Sequence, residues 1–150
     1  MHAPIRIPQP GPVMTLYPVA LSIHVVTAIL GLGQVAGIAI LASSAQAEAP
    51  VAPATWNALG RLARGTNWSL ALMLLSGVLI DYSVGGGYHE AWWFRLSLGL
   101  WLVLGAINGR TRRALRKRES ARPLQGVVRG AWSMCAIIAV IAVLMEVKPW

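Results

Sequence analysis

Acidic residues are scarce in this chain, with five Asp and Glu among 150 residues against 13 Lys and Arg, for a formal charge of +8. Cysteine occurs once, at Cys135, so no intrachain disulfide and no cysteine-based metal site is available. Charge of either sign is absent from Arg6 to Glu48. Only 12% of residues are charged and 56% are hydrophobic, which leaves too little polar surface to cover a soluble domain of this length. Nucleophilic triads and paired catalytic carboxylates are also missing. The glycines 85–87 are no phosphate loop, because neither the lysine nor the strand-to-helix context accompanies them.

What the chain has instead is long apolar runs and a mean hydropathy of +0.59. The first run, Leu16 to Ala42, reads LYPVALSIHVVTAILGLGQVAGIAILA. It exceeds the roughly 20 residues that a helix needs to cross hydrocarbon at about 1.5 Å per residue. The run also exceeds the core of a signal peptide, although Ala45-Gln46-Ala47 resembles a processing site. Three further spans are expected at about 67–84, 91–109 and 126–147. Residues 1–15, with prolines at 4, 8, 10 and 12, read as an extended arm. The loop SSAQAEAPVAPAT follows the first span, then a short interfacial helix over TWNALGRLARGTNW. RTRRALRKRESARP reads as a solvated basic loop, and the glycines 85–87 as a flexible turn.

Four spans joined by short connections give an all-α fold, a four-transmembrane-helix bundle with up-down topology, as one membrane domain over residues 16–150. Ten basic residues fall on one side: Arg61, Arg64, the seven from Arg110 to Arg122, and Arg129. Arg6, Arg95 and Lys148 fall on the other. Basic residues favour the cytoplasmic side, so both termini face away from the cytoplasm, and the chain belongs in the cell inner (plasma) membrane as a multi-pass protein. Its main partner is the lipid bilayer. The basic cluster is a topology marker with a secondary attraction to anionic lipid, and nucleic acid is not expected as a partner.

Within the first span, His24 lies roughly 12 Å inside the end. Thr27, Ala28, Gly31 and Gln34 follow it at offsets of 3, 4, 7 and 10, giving one small, polar helical face that must turn towards other helices. His24 has three readings: a metal or haem ligand, a proton carrier, or a buried histidine hydrogen-bonded to a neighbouring helix. No second histidine lies within a span, so bis-histidine haem in one chain is excluded. No Cys/His/Met cluster has copper spacing, and Met73, Met134 and Met145 read as packing residues. Asp81, Arg95 and Glu146 fall on three different helices, each about one turn inside the non-cytoplasmic boundary. They are expected to form an outer ionic layer in which Arg95 pairs with Asp81 or Glu146, beneath His89 and Glu90. Side chains that merely snorkel to the interface explain the same residues. Gly33 with Gly37, and Gly105 with Gly109, set small-residue patterns that permit close helix approach.

SIHVVTAILGLGQVAG in the first span, WWFRLSLGLWLVLG in the third and the terminal LMEVKPW together resemble the CopD/HemJ-type group of small four-helix bacterial membrane proteins. In the HemJ-type protoporphyrinogen oxidases of that group, a first-helix histidine and a third-helix lysine form the functional pair and haem b is bound. His24 matches the histidine. The lysine position falls at Arg95, whose guanidinium stays protonated and cannot ligate iron. The resemblance therefore implies the fold and a porphyrin-facing His24 more than the oxidase reaction. Lys148 and Pro149 match the group's terminal Lys-Pro.

The expectation is thus a haem b- or porphyrin-binding membrane protein with His24 as the metal ligand and Thr27, Gly31, Gln34 and Arg95 around the cofactor. Arg95 would hold a propionate or the outer carboxylates. The competing expectation is a non-catalytic accessory subunit packed against a larger respiratory or photosynthetic complex, or assembled as a homo-oligomer. Seven tryptophans and several glycine-rich faces motivate it.

Overall fold

The computed structural model describes residues 12–47, 50–117 and 123–147. Among them it is all-helical, with four long helices: α1 Pro12–Ala45, α2 Pro53–Ser83, α3 Trp92–Lys117 and α4 Pro123–Val147. A short 3-10 turn, Tyr88–Glu90, joins α2 to α3. Each helix packs on its chain neighbours and α4 closes back on α1, so the bundle is an up-down ring. The α1–α2 contact is the most extensive and the α2–α3 contact the least.

Two of the helices, over Leu16–Ala45 and Leu124–Val147, are long and apolar enough to cross a membrane. Large apolar side chains are exposed on all four helices. Ile29 (65% exposed) on α1, Leu75 (58%) on α2, Leu102 (60%) on α3 and Val143 (60%) on α4 all face outward. Thr27, Thr66, Ser69, Ser76, Ser97, Asn108 and Thr111 are buried.

The core repeats at helical spacing. Leu124, Val127, Ala131, Met134 and Ile141 on α4 are buried, as are Leu104, Asn108, Thr111 and Leu115 on α3. These alternating steps of three and four residues form one seam facing the bundle axis. On α1 the buried set Val35, Ile38, Ala39 and Ala42 does the same against Leu59 and Ala63 of α2.

Several sequence-based boundaries shift. TWNALGRLARGTNW is no separate interfacial helix; it is the first half of a continuous α2, because nothing in it breaks the backbone and Leu59, Ala63 and Thr66 keep the buried spacing going. The basic stretch after the third span is helical as far as Lys117, since Thr111 and Leu115 remain buried and carry the arginines on a helix that is already packed. Residues 12–15 belong to α1, as a proline is tolerated in a helix's first turn, while residues 1–11 of the expected arm lie outside the described residues. The glycine turn is fixed rather than loose: Gly85 and Gly86 take φ of 85° and 78°, and the Gly86 amide donates to the Asp81 carbonyl at 2.8 Å, closing the C-terminus of α2.

Of the four glycines in the two small-residue patterns only Gly37 meets a neighbouring helix, and the closest approaches occur at glycines outside those patterns. Gly33, Gly105 and Gly109 have no other helix near their Cα, whereas a Cβ on Gly31 would stand 3.2 Å from the Ser69 Cβ. A Cβ on Gly65 would stand 2.7 Å from the Gln34 amide nitrogen. From Gly77 against His24, through Gly31 against Ser69, to Gly37 against Leu62, each step along α1 meets one step back along α2. Ser69 cannot retreat without moving the α2 backbone. Gly31→Leu should therefore cost about 1–3 kcal/mol of overpacking, while Gly105→Leu should stay within about 0.5 kcal/mol of the parent. Thermal unfolding in detergent checks both.

Candidate functional site

His24 is half-buried one-third of the way along α1, and its ring lies against α2 where Gly77 lacks a side chain. Nδ1 lies 3.1 Å from the Met73 carbonyl oxygen and 3.0 Å from Ser76 Oγ. A carbonyl only accepts, so Nδ1 carries the proton and donates. Ser76 Oγ in turn donates to the same carbonyl at 3.1 Å, which leaves its lone pairs to accept from Nδ1. In the neutral ring, Nε2 then holds the lone pair, and among the described residues it has no hydrogen-bond partner.

Two apolar cavities meet at this ring. The inner one, about 210 Å³, lies between His24, Thr27 and Gly31 of α1, Ser69 of α2, and Met134 and Ile138 of α4. The outer one, about 270 Å³, lies between His24, Gly77 and Asp81 on one side and Phe94, Ser97 and Trp101 of α3 on the other. His24, Met73, Ile141 and Met145 line both. In the wall of the outer cavity, the Ser97 hydroxyl and the Trp101 indole N–H are buried without a hydrogen-bond partner. Unpaired buried donors cost about 1–3 kcal/mol each.

Thr27 and Gly31 line the inner cavity as their spacing predicts. The Thr27 hydroxyl is spent on its own helix, donating to the Ile23 and His24 carbonyls at 2.8 and 3.0 Å. Gln34 is absent from the cavity lining, although Leu32 and Val35 on either side of it belong to it, and it accepts from Ser69 Oγ at 3.3 Å in the helix seam.

The expected outer ionic layer does not form. Asp81, Arg95 and Glu146 do share one end of the bundle, but Arg95 pairs with neither carboxylate among the described residues. Asp81 accepts from the Tyr88 backbone N–H at 2.9 Å and meets His89 Nδ1 at 3.5 Å. Arg95 is exposed and donates through Nε to the His89 carbonyl at 2.9 Å, and Glu146 is exposed. The glycine turn explains the substitution: it folds the 3-10 segment back over the end of α2, bringing Tyr88 and His89 to Asp81 before α3 can present Arg95. Arg95 lines neither cavity. The terminal Lys148 and Pro149 lie outside the described residues.

Sequence reasoning missed the partners of His24 and the orphan donors on α3. From the sequence, neither Ser76 nor Ser97 is assigned a role. The signal available was their register: Ser69 and Ser76 lie seven residues apart on one face of α2, and Ser97 and Trp101 four apart on α3. No group of three or more His, Cys, Asp or Glu side chains comes together among the described residues. Compared with protein-family models, curated proteins and solved structures, the chain matches none.

The Asp81 carboxylate organises the turn, so Asp81→Ala should speed hydrogen exchange at the Tyr88 amide about fivefold, the equivalent of about 1 kcal/mol of hydrogen bond. Amide-resolved exchange in detergent measures it.

Proposed function

We propose that this chain is a multi-pass protein of the inner membrane that holds haem b or a related porphyrin on His24 inside a four-span bundle. The outward-facing aliphatic side chains of all four helices support the membrane placement. The basic residues at the α1–α2 and α3–α4 end support a cytoplasmic location for that end, with both chain termini on the opposite side.

The observation that carries the cofactor reading is the fixed ring of His24. A metal-ligating histidine characteristically donates its second ring N–H to a backbone carbonyl, which sets the tautomer and orients the free lone pair. Met73 supplies that carbonyl and Ser76 reinforces it. A porphyrin brings four of its own nitrogen donors, so one protein ligand suffices where no multidentate cluster of side chains exists. The flanking cavities are lined almost wholly by apolar side chains, as a macrocycle face requires. Ser97 and Trp101 have donors to offer a polar edge of the group. Arg95 is exposed at the same end of the bundle and would be the cation available to a carboxylate side arm. Bound haem would supply one-electron chemistry, and His24 would hold its iron through Nε2, with Ser97 and Trp101 nearby.

Haem-supplemented wild-type protein should be purified with a Soret band that His24→Ala abolishes. Ser76→Ala should retain the band, because Met73 still orients the ring. A wild type that takes up neither haem nor protoporphyrin would remove this reading. For the topology, a cysteine placed at Gly87 in a Cys135→Ala background should react with an impermeant maleimide added outside intact cells, and one placed at Arg113 should not. Co-purification in mild detergent addresses the accessory-subunit alternative.

A further inference from the structure

At the opposite end of the bundle, a second concave site opens between α2 and α3, the least tightly packed pair. Trp56, Gly60 and Arg64 of α2 face Arg112 and Arg116 of α3 across about 350 Å³. Both helices reach it because they are longer than a span requires. The 31 residues of α2 make a rod of about 46 Å, against a hydrocarbon core of about 30 Å. Glycine at position 60 keeps the floor open, and nothing lies within 4 Å of where its Cβ would stand.

Its charge is uncompensated by any described side chain. None of the three arginines has an ion pair among the described residues, and no carboxylate lines the site. The described acids, Asp81, Glu90 and Glu146, all stand at the far end of the bundle; Glu48 and Glu119 lie outside the described residues. Three guanidinium groups from two helices, one of them half-buried, would repel one another unless an anion joined them. Guanidinium forks match the oxygens of a phosphate. The neighbouring indole of Trp56 suits the glycerol level of a bilayer, and a basic pocket between spans on the cytoplasmic side is where an anionic head group has both its charge and its depth matched.

We infer that the Arg64–Arg112–Arg116 pocket is a specific phosphate site that takes the phosphodiester head group of an anionic lipid from the cytoplasmic leaflet. This rests on the membrane reading but not on the cofactor, because His24 lies at the other end of the molecule.

The test measures thermal stabilisation of the detergent-solubilised full chain by added phosphatidylglycerol, with phosphatidylcholine and inorganic phosphate as parallel arms. Phosphatidylglycerol should protect the wild type and His24→Ala equally, with phosphatidylcholine and phosphate having little effect. The double variant Arg64→Gln/Arg112→Gln should need at least about tenfold more phosphatidylglycerol for half-maximal protection. Arg113→Gln/Lys117→Gln removes the same charge from exposed positions outside the pocket and should respond as the wild type does. Equal loss in both double variants, or loss in neither, overturns the pocket as the site. Protection by inorganic phosphate at matched concentration overturns the lipid assignment and leaves a soluble phosphate as the ligand. Should Arg64→Gln/Arg112→Gln fold poorly, Gly60→Leu, which fills the floor without touching charge, should weaken protection in the same way.

Discussion

The structure depends on how its buried polar side chains are satisfied: large aliphatic side chains are exposed on every helix, while seven hydroxyl and amide side chains among the described residues are buried beside the apolar core. A buried polar group needs a hydrogen-bond partner within the bundle. Thr27 and Thr66 meet that need by donating back to their own helices. Ser69 with Gln34, Asn108 with the Ala63 carbonyl, and His24 with Met73 and Ser76 meet it across helices. These cross-links concentrate between α1 and α2, and the glycines that allow the approach lie in the same seam. The tightest helix pair and the best-satisfied polar groups are therefore one feature.

That concentration has a counterpart on the other side of the bundle. With α1 and α2 drawn together, α3 cannot pack equally closely on α2, and the outer cavity and the basic pocket both open along that looser seam. The unpaired Ser97 and Trp101 donors belong to α3 for the same reason: their helix faces a gap rather than a partner. His24 stands at the junction, one edge of its ring held by the tight pair and the other open to the gap.

Much of the helix inventory was legible in the sequence, because apolar runs longer than about 20 residues have few alternative readings. The all-helical order and the inward turn of the Thr27–Gly31 face followed from composition and period. Boundaries were less legible. Charge at Arg61 and Arg64 suggested a separate interfacial segment, yet a helix continues wherever its buried stripe continues, and Leu59, Ala63 and Thr66 kept it unbroken. The ionic layer failed for a different reason. Hydrophobic patterning gives the depth of Asp81, Arg95 and Glu146 but not their azimuth, and a turn of three glycines decided the partners by backbone geometry that charge counting does not contain. The proton position on His24 was beyond sequence altogether, since it is set by a main-chain carbonyl 49 residues away.

The two ends of the molecule divide accordingly. At the outer end, Asp81 is engaged by a local backbone N–H and by His89, so its charge serves the turn and leaves the apolar cavity beneath it undisturbed. At the basic end no described side chain answers Arg64, Arg112 and Arg116. A buried or half-buried charge without compensation is costly, and a bundle that met this one with its own carboxylates would spend the guanidinium donors internally. Among the described residues these guanidinium donors stay open. The outer end is already closed by its own turn, and the unmet valence there is the imidazole lone pair and two neutral donors facing an apolar space. The two ends therefore offer different chemistries, guanidinium donors at one and an imidazole lone pair beside apolar surface at the other.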